Sequence, residues 1–220
     1  MKKLTIIIVV ALLITFSGCS EGSDNKPNFD VVSNNVTIWE DSTGEYSIVL
    51  AFEVSNLIND PLYFKESDFD IVDENGKLID TMKSVSAYPP IVNPDETAVY
   101  YDARISDKIS DTNIRLKAIP HIESEKSHVN LNGLIMTDSR VGGSLYSTGT
   151  VKNDSFQEYK NVHIAIISRK ANKEVVSVMT ATIDSIKPHE QIEFKAKDFL
   201  KQRDLGSDTP RYQSFVYLDP

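Results

Sequence analysis

Apolar and polar side chains alternate through much of the chain. Ile48, Leu50, Phe52 and Val54 fall on one face by a two-residue period, and Ile192, Phe194 and Ala196 do the same. Val162, Ile164 and Ile166 form another such face, backed by His163, Ala165 and Ile167. These segments are rich in β-branched and aromatic residues and predict half-buried or buried strands. Asp73-Glu74-Asn75-Gly76-Lys77 lies between two apolar runs and predicts a hairpin turn, with Gly76 supplying a positive φ. Pro94 and Pro188 each follow an apolar strand end and mark further turns. Helical periodicity is nearly absent. The best candidate is Asp198–Gly206, with Asp198 as N-cap and Gly206 as C-cap. Short strands with turn signals every 8–12 residues or so predict an all-β fold of antiparallel sheets.

The pattern repeats itself about 95 residues further on. Val54-Ser55-Asn56 matches Val151-Lys152-Asn153, and Phe69–Asp73 matches Ile164–Ser168. Val92–Tyr100, with its Asn93-Pro94-Asp95-Glu96 corner, matches Ile186–Phe194 with Lys187-Pro188-His189-Glu190. Three matches in the same order predict a duplication, and so two β-sandwiches in tandem. The first spans residues 29–122 and the second 129–220, with Ser214–Leu218 as its last strand. The polar stretch 123–128 reads as the linker.

At these residues the chain resembles the FxLYD family of extracytoplasmic, immunoglobulin-like domains found in lipoproteins of low-GC Gram-positive bacteria. Gly149-Thr150-Val151-Lys152-Asn153 matches that family's Gly-x-Val-x-Asn strand. Its Phe-x-Leu-Tyr-Asp strand is degenerate in the second unit, where Ile164, Ile166, Ile167 and Ser168 stand. The first unit keeps Phe69, Ile71, Asp73 and Gly76 but has no Gly ahead of Val54. At the corner, His189 stands where the family has Gly. The resemblance covers most of 47–102 and 145–196. It implies tandem immunoglobulin-like sandwiches and, its motifs being structural, no catalytic residue.

The N-terminus changes the picture. Lys2 and Lys3 precede an apolar run from Leu4 to Phe16, too short for a permanent span and typical of a secretory signal. Phe16-Ser17-Gly18-Cys19 resembles a bacterial lipobox, with Phe16 where Leu is usual. The expectation is a signal peptide over 1–18, diacylglycerol (palmitate-type) lipidation of Cys19, and a flexible tether over 19–28. That places the protein outside the cytoplasm, lipid-anchored to the membrane of a Gram-positive cell. Cys19 is the single cysteine of the 220 residues, so an internal disulfide framework is excluded. The net charge of −9 becomes −11 once Lys2 and Lys3 are removed, which disfavours nucleic acid.

Candidate chemistry is sparse. The four histidines, His121, His128, His163 and His189, show no metal-ligand spacing. Met82, Met136 and Met179 each lie on an apolar strand and read as core. Asp68, Asp70, Asp73, Glu74 and Asn75 lack the spacing of a calcium loop and read as a strand plus hairpin. Nucleophile and phosphate-loop motifs are missing. The reading is therefore a non-enzyme with no cofactor and no metal. One lead remains among the aromatics. Tyr88-Pro89-Pro90 is a rigid loop, and alternation turns one of Tyr100/Tyr101, and one of Tyr63/Phe64, outward. Tyr88, Pro89, Pro90, Tyr100 and Tyr101 form the candidate binding patch. The function expected is a binding or scaffolding lipoprotein, its partner an envelope protein or a cell-wall polymer. The alternatives are a passive spacer or accessory subunit and, further off, an envelope hydrolase.

Overall fold

The computed structural model describes residues 28–127, 133–141, 146–198 and 211–218. The signal segment, Cys19 and most of the tether lie outside them. Within the first hundred described residues run ten strands. They are β1 (Phe29–Glu40), β2 (Tyr46–Asn56), β3 (Leu62–Phe64), β4 (Ser67–Asp73), β5 (Leu78–Val85), β6 (Ala87–Tyr88), β7 (Ile91–Val92), β8 (Thr97–Ile105), β9 (Leu116–His121) and β10 (Ser124–Lys126). Six more follow: β11 (Leu134–Val141), β12 (Tyr146–Asn153), β13 (Tyr159–Arg169), β14 (Val175–Ile186), β15 (Gln191–Asp198) and β16 (Arg211–Leu218). All pairings are antiparallel. The fold is an all-β sandwich architecture, as alternation led one to expect.

In the first half the sheets run β1-β2-β8-β6, β5-β4-β9 and β10-β3-β7. The second half is one sheet, β11-β12-β15-β14-β13-β16. Its two ends, β11-β12-β15 and β14-β13-β16, copy the order of β1-β2-β8 and β5-β4-β9. Among the described residues two pairs, Met179–Asp198 and Thr180–Lys197, join them into one sheet. Each half has its own apolar core. Val54, Phe69 and Val92 sit in the first, and their repeat partners Val151, Ile164 and Ile186 in the second. Rings of Phe52, Phe69 and Tyr100 meet at 5.2–5.3 Å in the first core, the range of favourable aromatic pairs.

The landmarks of the repeat have a shared physical cause. Asn56 and Asn153 end β2 and β12 as fully buried side chains. Asn56 Nδ2 donates to the carbonyls of Asp60 (2.8 Å) and Val92 (3.2 Å), and its Oδ1 accepts from Ile58 N–H (2.9 Å). Asn153 Nδ2 donates to Gln157 (2.8 Å), Ile186 (3.2 Å) and Lys187 (3.0 Å), and Oδ1 accepts from Ser155 N–H (2.9 Å). Each asparagine thus ties its strand end to the next loop and to the proline corner. At the corners, Glu96 N–H reaches the Asn93 carbonyl and Glu190 N–H the Lys187 carbonyl, both at 3.1 Å. Asp95 and His189 hold φ of 63° and 61°, the left-handed conformation a type II turn requires after its proline. The 73–77 hairpin forms as expected: Gly76 has φ 80° and its N–H bonds the Asp73 carbonyl.

Three boundary expectations need correction. Ser124–Lys126, expected in the 123–128 linker, is strand β10, paired with Leu62–Phe64. Its polar, exposed side chains are those of an edge strand and leave no alternation to read. Ser127 still bonds the Pro61 carbonyl, while His128 lies outside the described residues. Asp198, expected to cap a helix, is the last residue of strand β15; the rest of that segment lies outside the described residues. The final strand begins at Arg211, earlier than the expected Ser214.

The two halves meet face to face. The faces of β2 and β8 that turn away from the first core carry Val49, Ala51, Val99 and Tyr101 against Ala165 and Ile167 of β13, Val178 of β14 and Tyr217 of β16 in a third buried cluster. Beside it Arg169 clamps Glu53 with both terminal guanidinium nitrogens, Nη2 to Oε1 at 2.7 Å and Nη1 to Oε2 at 3.0 Å. Side-chain exposure is 13% for Arg169 and 8% for Glu53, so this is a desolvated, bidentate pair.

Candidate binding cleft

A cleft of about 420 Å³ opens where the halves join. Its first-half wall comes from β3 (Tyr63, Phe64), from Glu66 just after it, and from the β6 region (Ser86, Ala87, Tyr88, Pro90). The second half contributes His163 from β13 and Tyr217 from β16. Period-two alternation explains the placement. Phe64 turns into the first core, while Tyr63 beside it is half-buried. On β13, Val162 and Ile164 face the second core, which leaves His163 on the opposite face with Ala165 and Ile167. The His163 ring stacks on Tyr217 at 5.5 Å and 21°, and its Nδ1 lies 3.3 Å from Thr182 Oγ1.

The polar part of the wall is small. Ser86 Oγ donates to Glu66 Oε1 at 3.1 Å. Burial pushes the Tyr88 phenol above its ordinary pKa; a Ser86 hydrogen bond opposes this, and the nearby charges of Asp102 and Glu66 add to it. Behind the cleft the Tyr100 hydroxyl donates to the Lys65 carbonyl at 3.0 Å and accepts from Ser67 Oγ at 3.3 Å. A second, more open groove of about 460 Å³ shares Glu66 and is lined by Asp68, Asp70, Thr81, His121 and Glu123. Asp70 accepts from Thr81 Oγ1 at 2.8 Å and meets His121 Nε2 at 3.1 Å, and these bonds hold its carboxyl below the usual range.

The exposed tyrosine–proline patch expected from the sequence is not there. Tyr100 is 0% and Tyr101 2% exposed, and Pro89 and Pro90 are buried. Alternation does send Tyr100 and Tyr101 to opposite faces, but Tyr101's face is covered by the second half, its hydroxyl 3.5 Å from the Val176 carbonyl. Of the five residues, Tyr88 and Pro90 line the cleft. Met82 and Met179 are buried, and Met136 packs at the edge of the second core. His189 sits in its turn with the Phe156 ring 5.2 Å away. Among the described residues, no group of three or more His, Cys, Asp or Glu side chains is placed to hold a metal ion.

Sequence reasoning missed Glu66, Ser86, His163 and Tyr217 as neighbours, and Glu53 with Arg169 as a pair. One signal was available: Glu53 is a lone charge inside the apolar run Ile48–Val54, where a buried charge needs a partner.

No family model matches the chain, and no curated protein matches it. Among solved structures it is similar to a calcium-binding mutant of Bacteroides uniformis β-glucuronidase 2. Identity is 16%, the alignment covers 77% of this chain and 26% of that one, and the TM-score is 0.21. The chain therefore spans about a quarter of that enzyme's length, and nothing about activity transfers at such a likeness.

Proposed function

We propose that the chain is a lipid-anchored extracytoplasmic protein. In this reading two immunoglobulin-like sandwiches of FxLYD type act as a non-catalytic binding or scaffolding module. The copied strand order and the paired roles of Asn56 and Asn153 support the tandem reading. Cys19, placed after Phe16-Ser17-Gly18, supports the lipid anchor. The observation that carries the binding reading is the junction. An apolar face closed by the Glu53–Arg169 pair holds the halves together, and the aromatic cleft spans both. A pocket at such a junction, walled by rings with few polar groups, suits ligand capture. An envelope protein or wall polymer is the class of partner in view, and a passive spacer would have no use for the cleft.

A photo-crosslinking amino acid at Tyr63, on the cleft, should capture one recurrent partner on intact cells. The same group at exposed Lys187, away from the cleft, should not. Equal capture at both sites, or none at Tyr63, overturns the binding reading. Intact mass of the membrane-extracted protein checks the anchor: the mature chain should begin at a diacylated Cys19, and Cys19→Ser should release it from the membrane.

A further inference from the structure

The geometry points to the cleft as a site for an organic cation, an alkylammonium or quaternary ammonium group held between aromatic rings and the Glu66 carboxylate. This rests on the binding reading above and names the ligand chemistry for it. Tyr63 and Tyr88 from the first half and Tyr217 from the second supply rings, and Glu66 is the carboxylate among them. Among the described residues no lysine or arginine lines this cleft or the groove that shares Glu66. Lys65, next in sequence, is engaged elsewhere, 3.2 Å from Glu125 and 3.8 Å from Glu123. Among the described residues Glu66 has no cationic partner; its hydrogen bond is the one from Ser86.

Glu66 is exposed at the mouth of the cleft, so its carboxylate meets an entering cation directly. Aromatic faces attract the same kind of ligand through their quadrupoles, most strongly where water is excluded. In the adjoining groove Asp68 adds a further negative charge beside Glu66. A hard metal ion fits poorly, since calcium wants six to eight oxygen ligands and magnesium a near-octahedral set. One carboxylate among rings suits instead a soft, weakly hydrated organic cation.

The test is NMR titration of the full chain in non-ionic detergent micelles with two matched probe pairs. One pair is choline and its uncharged isostere 3,3-dimethyl-1-butanol. The other is N-acetyl-lysine amide and N-acetyl-norleucine amide. The charged member of at least one pair should shift tyrosine ring signals and bind about tenfold more tightly than its uncharged twin. The pair that responds identifies the source, a free quaternary ammonium or a lysine side chain. Glu66→Gln should weaken that binding about tenfold with an unchanged melting temperature, and Tyr63→Leu should weaken it too. Glu193→Gln, exposed and remote from both cavities, should leave it as it was. Equal binding of charged and uncharged twins overturns the cation assignment while leaving a binding cleft. Indifference to Glu66→Gln overturns it as well. If neither probe of either pair binds, the cation assignment falls, and the Tyr63 crosslink separately decides whether the cleft binds anything.

Discussion

Asn153 concentrates several bonds in one buried side chain. Three carbonyls accept from its Nδ2, and its Oδ1 takes both the N–H and, at 2.7 Å, the hydroxyl of Ser155. Asn153→Ala removes all of these at once and leaves buried groups unsatisfied. It should destabilise the protein by about 2–4 kcal/mol, read by chemical denaturation, since each lost partner costs on the order of 1 kcal/mol. A change within about 0.5 kcal/mol would mean that water replaces the side chain. Gly149 makes the opposite point, because there the missing side chain matters. It lies across from Phe194 on β15, and a Cβ at Gly149 would stand 2.7 Å from Phe194 Cζ and 3.1 Å from Ser139 Cα. In the first half the same position holds Phe52, paired with Tyr100. Gly149→Ala should therefore cost about 1–3 kcal/mol through overpacking, and a second change, Phe194→Leu, should recover part of it. Equal stability of Gly149→Ala and the parent would show that the ring moves freely.

At the scale of elements, side-chain bonds reinforce strands that also share the first core, as β4, β5 and β9 do. Asp70 on β4 joins Thr81 on β5 and His121 on β9. Hydrogen bonds from Thr81 and His121 lower the Asp70 pKa. At Asp80 burial works against ionisation, but the Lys108 hydrogen bond, the Thr81 N–H, the Lys108 charge and Ser106 together outweigh it, so its pKa is lowered too. A carboxyl depressed in the folded state stabilises it above the unfolded pKa, and that contribution is lost as pH falls through the folded value. Stability should thus decline as pH drops below about 4, and Asp70→Asn should flatten the decline. A parent-like acid limb in that variant would remove Asp70 from the account. At the alkaline end the sign reverses. Burial raises the pKa of Tyr88 and, more strongly, of Tyr100, so stability falls once unfolded tyrosine ionises above about pH 10.

Elements were also where the sequence read best and where it stopped. Alternation located β2, β13 and β15, and the proline corners and the 73–77 hairpin came with their turn chemistry. The run Ile48-Val49-Leu50-Ala51-Phe52 is apolar on both faces, as is Val162–Ile167 apart from His163. Such runs mark strands covered on both sides. The period assigned one face to each core and left the other without a stated cover. That cover is the opposite half, which no local pattern identifies. For the same reason one of Tyr100 and Tyr101 read as a surface aromatic, and the cleft residues, drawn from β3, β6, β13 and β16, were scattered in the sequence.

For the molecule as a whole, the junction decides whether the cleft has one shape. Arg169→Ala would leave Glu53 charged and buried inside an apolar cluster, at a cost of about 3–5 kcal/mol. Replacing both residues by hydrophobic ones, Glu53→Leu with Arg169→Met, should restore most of that stability, because the pair's desolvation cost disappears with it. A single variant as stable as the parent would mean that water already reaches the pair.

The most direct test of the central claim, that the halves form one body around a junction cleft, is scanning calorimetry of the full chain in detergent. The account predicts a single transition with matching calorimetric and van't Hoff enthalpies, resolving into two in Arg169→Ala. Two independent transitions in the parent, unmoved by changes at Arg169, would contradict it.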